Sequence, residues 1–105
     1  MNLRDLDARF LRMSDKGLRK AATLSEAQGV VFLCPQCFTK NKGKVGTHSV
    51  VCWFRGRGVP DDLSPGPGRW DATGTSIDNL TLNPSVSLPD PGCGWHGWVR
   101  EGDAA

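Results

Sequence analysis

Two short clusters carry the residues with the most distinctive chemistry. Cys34-Pro35-Gln36-Cys37 is a C-x2-C pair, and Cys93-Gly94-Trp95-His96 is a C-x2-H pair flanked by Gly92 and Gly97. Two residues between ligands allow a tight turn to aim both donor atoms at one metal ion, and glycine supplies the positive φ that such knuckles use. Together the pairs make a Cys3His set, the donor composition of a closed tetrahedral site, so Cys34, Cys37, Cys93 and His96 are the expected ligands of one structural Zn2+. The 55 residues between Cys37 and Cys93 form a long loop. A metal joining the pairs closes it and clips the first half of the chain to its last strand.

His48 and Cys52 are the competing ligands. In an extended segment they lie about 13 Å apart at about 3.3 Å per residue, so at most one joins the same ion. Cys52 sits in an apolar run and reads as a core thiol, with substitution for one of the four ligands as the alternative. His48 follows Gly46-Thr47 and reads as a hydrogen-bonded structural histidine or a solvent-facing one. A catalytic zinc keeps an open position beside a general base. The only glutamates are Glu26, in a helix-cap pattern, and Glu101, near the last residues, and neither H-E-x-x-H nor H-x-E occurs. Thiol catalysis by Cys52 with His48 as base has no pattern that pairs the two, and no βαβ pattern surrounds the C-x2-C as a redox motif requires. The expectation is therefore a protein without enzymatic activity, with a thiol or zinc enzyme as an alternative.

The elements that must position these residues are short. Leu3, Leu6, Phe10 and Met13 recur at spacings of three and four, with Asn2 as a cap and Gly17 as a stop, which predicts a helix over residues 3 to 14. Thr23-Leu24-Ser25-Glu26 has the form of a capping box closed by Gly29 and predicts at most a turn or two of helix. Val30 to Leu33 then predicts a strand leading into Cys34. His48 to Phe54 predicts a second, with Val50, Cys52 and Phe54 on one face and Val51 and Trp53 on the other. Apolar residues on both faces imply a central strand. Gly56 to Gly68, with Pro60, Pro65 and Pro67, predicts an ordered loop. Arg69-Trp70, Asn79 to Leu82 and Trp98 to Arg100 predict later short strands, with a turn around Pro89 and Pro91. No internal repeat is present. The chain divides on this reading into an N-terminal helix and linker, 1–22, and a metal-stapled β-rich unit, 23–105.

At 105 residues, with 13 Gly and 7 Pro among them, the chain has little material for a core, which favours a metal staple. The apolar runs fall far short of the roughly 20 residues needed to span a membrane. Arg4, Asp5, Asp7, Arg9 and Arg12 interrupt any apolar signal segment, so a cytoplasmic location with reduced thiols is expected. The net charge of +2 is unevenly spread: residues 27 to 60 hold Lys40, Lys42, Lys44, Arg55 and Arg57 with no acid, while residues 61 to 105 hold two bases and seven acids. Interleaved with Phe38, Trp53 and Phe54, the basic stretch can form a nucleic-acid surface, although +2 overall does not favour one. Opposite charge on the two halves makes a homodimer possible. Trp95, between two expected ligands, is expected to be partly exposed and to mark a protein partner.

The runs Gly29 to Cys37, Gly46-Thr47-His48-Ser49-Val50-Val51-Cys52-Trp53-Phe54, Pro65 to Trp70, and Cys93-Gly94-Trp95-His96-Gly97-Trp98 resemble a family of small tailed-phage and prophage proteins, over about residues 24 to 103. Leu82-Asn83-Pro84-Ser85-Val86 with His96-Gly97-Trp98 is similar to a broader set of domains in phages and bacterial operons. The resemblance implies a phage or prophage origin and supplies no catalytic residues. The expectation is a small α+β, zinc-ribbon-like domain, with a short antiparallel sheet and one N-terminal helix. It acts as a non-enzymatic phage accessory module that binds a host or phage protein, with nucleic-acid binding as the alternative.

Overall fold

Strands β1 (Arg9–Ser14), β2 (Gly17–Ala21), β3 (Gly29–Leu33) and β4 (Ser49–Trp53) form one antiparallel sheet in the spatial order β2-β1-β3-β4. The computed structural model describes residues 1–88 and 92–105, so the expected turn around Pro89 and Pro91 lies outside the described residues. Val30 and Phe32 of β3 are buried, as its β-branched and aromatic run predicts. The second expected strand forms as β4, but at the edge of this sheet and not at its centre. Its two apolar faces have another cause. Val50, Cys52 and the following Phe54 enter the core, while Trp53 lies beneath the Pro-rich loop and donates its indole N–H to the Ser64 carbonyl at 3.0 Å.

The expected helix over residues 3 to 14 does not form. Leu3–Leu6 makes a single 3-10 turn, capped by the Asn2 side chain, which accepts from the Arg4 N–H at 2.9 Å, and closed by Asp7 at φ 52°. The chain then becomes β1, which pairs with β3 on one side and with β2 on the other through the Ser14–Gly17 hairpin. Gly17, at φ +102°, is a hairpin residue and not a helix stop. Leu3 and Leu6 fit one tight turn, and Phe10 fits the inward position of a strand. One three-and-four spacing therefore spans two structures, and pairing with β3 decides the second. All three residues share a core cluster with Val30, Phe32 and Leu80. At Leu24–Glu26 a 3-10 turn forms as expected, but Thr23 donates to the Glu26 carboxylate at 3.2 Å and does not cap the backbone. Gly29 opens β3 because it abuts Trp53: a Cβ there would sit 2.6 Å from the indole.

Among the described residues the one α-helix is α1 (Pro35–Asn41), started by a proline in its first turn and ended by Lys42 at φ 57°. It is not at the N-terminus. Three antiparallel pairs complete the fold: β5 (Asp71–Thr73) with β6 (Thr81–Asn83), β7 (Val86–Ser87) with β8 (His96–Gly97), and β9 (Val99–Arg100) with β10 (Asp103–Ala104). The architecture is a small mixed α+β domain with antiparallel sheets. Among the described residues no helix is long and apolar enough to cross a membrane.

Candidate active site and metal centre

The β3–β4 register builds the first cluster. Leu33 stands opposite Ser49, so Cys34, one residue beyond the strand, stands opposite His48, and the Cys34 N–H donates to the His48 carbonyl at 2.9 Å. Cys34 also caps α1, whose first turn brings Cys37 round beside it. Cys93 arrives from the other end of the chain, held by Gln36, which donates to its carbonyl at 2.9 Å. The ligand atoms of Cys34, Cys37, His48 and Cys93 all lie within 4.8 Å of one another, close enough to hold one metal ion. Burial pushes the Cys34 thiol up to about 11. For Cys93 burial also acts upward, but hydrogen bonds from the Trp95 N–H, His48 and the two neighbouring thiols outweigh it and bring the thiol to about 7.

His96 is not in this group; His48 occupies its expected place. The C-x2-H spacing fails as a metal pair because residues 95 to 97 are extended. Trp95 and Gly97 turn inward and His96 outward. Cys52 also stands apart from the cluster: it is wholly buried, and burial pushes its thiol up to about 12. It is a core residue, unpaired with His48.

The outward turn of His96 creates the second cluster. In the β7–β8 pair, Val86 lies opposite Gly97 and Ser87 opposite His96, so Ser85, Ser87 and His96 share one face. The Ser85 hydroxyl and His96 Nε2 are 2.9 Å apart and hydrogen-bonded. The opposite face is anchored: Val86 and Trp95 are buried, and Trp95 meets Phe32 edge-on at 6.1 Å. A Cβ at Gly97 would strike the Trp95 ring and the Ala105 carbonyl, so only glycine fits beside the histidine. Trp70 donates its indole N–H to the Ser85 carbonyl at 3.3 Å. Among the described residues no carboxylate hydrogen-bonds to His96.

Ser85 borders a cleft of about 590 Å³ whose walls include Val51, Pro65, Pro67, Trp70 and Leu88. The Pro-rich wall has few backbone hydrogen bonds of its own. Arg69 supplies them, donating to the carbonyls of Pro60 (2.8 Å), Leu63 (3.1 Å), Pro65 (3.2 Å) and Gly68 (2.8 Å). Sequence reasoning assigned His96 to the metal and noted Ser85 only as part of a resemblance. The signal that joins them is a two-residue strand pairing, which no local pattern announces.

Three of the other expected binding residues are engaged by groups within the chain. Lys44 pairs with Asp7 at 2.8 Å and Arg55 with Asp71 at 3.0 Å, while Arg57 donates to the carbonyls of Leu24 and Ala27 and lies over Phe54. Lys40 and Lys42 close α1. Trp95 is 5% exposed and fills the core, which corrects its expected exposure; the exposed indole is Trp98, at 38%, stacked with Arg100.

Ser85 on the wall of an open cleft, with His96 hydrogen-bonded to it from the neighbouring strand, is a candidate nucleophile with a candidate base. Over residues 10–105 the chain matches the model of a family described as the bacterial ubiquitination-like system serine protease (BubE), and it belongs to that family. No curated protein and no solved structure matches it. The family's description as a serine protease overturns the expectation of a non-enzymatic phage accessory module, and with it the expectation that the chain is no enzyme. The residues behind the resemblance to phage proteins lie within this bacterial family's span.

Proposed function

We propose that the chain is a serine protease in which Ser85 is the nucleophile and His96 the general base. The observation that carries this reading is the 2.9 Å hydrogen bond between Ser85 Oγ and His96 Nε2 beside an accessible cleft. As Oγ attacks the carbonyl carbon of a bound amide, its proton passes to Nε2. The resulting imidazolium returns that proton to the leaving amine as the C–N bond breaks. Water then attacks the acyl-serine, with His96 taking its proton and delivering it to Ser85. Trp70 holds the Ser85 carbonyl, and the buried Val86 and Trp95 hold the backbone from which both reacting side chains project. The family description supports an amide within a bacterial ubiquitination-like system as the bond that is cut.

Cys34, Cys37, His48 and Cys93 fit a zinc ion. Two thiolates each about 2.3 Å from a tetrahedral zinc stand about 3.8 Å apart, and the Cys34 and Cys93 sulfurs are 3.7 Å apart. When bound, the ion supplies a crosslink between the end of β3, α1, the start of β4 and the approach to β8, in the manner of a zinc-ribbon knuckle. Four protein donors make it structural and leave the reaction to the serine and histidine.

A serine-directed alkyl fluorophosphonate tests the reading. Wild-type protein is expected to take up one equivalent on Ser85 by mass spectrometry, and Ser85→Ala none. Equal labelling of Ser85→Ala, or labelling at another serine, refutes it.

A further inference from the structure

We infer that the substrate of this serine site is an extended, unpaired polypeptide segment that adds as a strand to the outer edge of β4 at Ser49–Val51; this rests on the serine-protease reading above. The alternation of hydrogen bonding along β4 fixes which backbone groups face outward. On the β3 side, the Cys34 N–H donates to His48 O and the Phe54 N–H donates to Gln28 O, so the even-numbered residues of this segment face the ladder. On the outer side, Trp53 O accepts from the Trp70 N–H and the Arg55 N–H donates to Trp70 O, so the odd-numbered residues face away. Ser49 and Val51 follow the same parity. Among the described residues no backbone group bonds to either of them from outside, although the Ser49 carbonyl has the His48 Nδ1 at 3.3 Å, and both border the cleft that holds Ser85.

Trp70 already covers the Trp53–Arg55 end of this edge through its parallel bridge to Phe54. The uncovered part therefore begins at Val51 and runs to Ser49, about 10 Å at about 3.3 Å per residue, which accommodates about three residues of an added chain. An amide is what a serine–histidine pair attacks, and a peptide strand is what an open edge of alternating N–H and C=O groups pairs with. One cleft offers both. Helical segments have no backbone groups to spare for such pairing, so the substrate is a flexible tail or loop. Val51, Pro65, Pro67, Trp70 and Leu88 along the cleft favour uncharged, apolar side chains on it.

The experiment compares two peptidyl diphenyl phosphonates with the same valine-derived reactive group, one carrying a single residue and the other three. On wild-type protein the three-residue compound is expected to inactivate Ser85 at least 10-fold faster. Val51→Pro deletes an outward N–H and leaves the β3 ladder intact. It is expected to bring the two rates within about twofold of each other, while circular dichroism and thermal unfolding report that the domain is still folded. N-methylation of the three-residue compound at its pairing amide gives the same loss on unaltered protein. Equal rates for the two compounds on wild-type protein, or a length effect that survives both Val51→Pro and N-methylation, overturns the inference and leaves the serine reading standing. Absence of Ser85 modification by either phosphonate and by the alkyl fluorophosphonate overturns both.

Discussion

Removing the metal should cost this domain a large share of its stability, and the structure sets the size. Cys37 and Cys93 approach through the shared cluster although 55 residues lie between them. Treated as a crosslink closing a loop of that length, the ion contributes about 4 kcal/mol from chain entropy alone. A domain of this size has a total stability of about 5–15 kcal/mol, so the loss is a substantial fraction of the whole. At roughly 4–8 °C per kcal/mol, the melting temperature should fall by about 16–32 °C. The assay is thermal unfolding by circular dichroism in a thiol-free reductant, with and without a strong zinc chelator, paired with elemental analysis. Loss of the ion should also slow fluorophosphonate labelling of Ser85, because Cys93 lies only three residues before His96. A chelated protein verified metal-free that melts within about 3 °C of the holo form would show that the four side chains meet without bearing the crosslink.

The two histidines should separate cleanly. His48→Ala is expected to lower zinc content and melting temperature, whereas His96→Ala should keep one zinc per chain and reduce the labelling rate of Ser85 by about 10²–10⁴-fold, the usual contribution of a general base; the opposite pattern would restore His96 to the metal. Cys52→Ala should retain both zinc and labelling. In the folded wild-type protein Cys52, its thiol pushed up to about 12 by burial, should resist iodoacetamide at pH 8 until denaturant is added. Trp70→Phe removes the N–H that holds the Ser85 carbonyl, a bond worth about 0.5–1.5 kcal/mol, and should slow Ser85 modification by about 2- to 12-fold with the fold retained; an unchanged rate would relieve Trp70 of a positioning role.

The parts of the fold legible in the sequence were those written in a single stretch. The apolar run Val30 to Leu33 and the alternation from Val50 to Phe54 announced β3 and β4, and the C-x2-C announced two neighbouring thiols. What was misread depended on partners distant in sequence. The stripe Leu3, Leu6, Phe10, Met13 suits a helix until β3 is available to pair with residues 9 to 11. The choice between His48 and His96 turns on register: antiparallel pairing sets His48 across from Cys34, while a two-residue strand turns His96 towards Ser85. Composition could not reveal the candidate serine site, because a half-buried serine and an exposed histidine acquire chemistry only when a strand pair sets them 2.9 Å apart. The candidate metal cluster keeps three of its four expected residues, and His48 stands close enough to supply the fourth donor in place of His96.

The guanidinium of Arg69, with its four close carbonyl partners, gives the Pro-rich segment an internal scaffold in place of a ladder. Ordering a backbone residue costs about 1–2 kcal/mol of conformational entropy, and this wall has met that cost before any substrate arrives. On the proposed reading, a wall already ordered in this way reduces the entropy lost when a chain enters the cleft. The shape of that wall rests on one cation, Arg69, which itself lines the cleft and precedes the Trp70 that holds the Ser85 carbonyl.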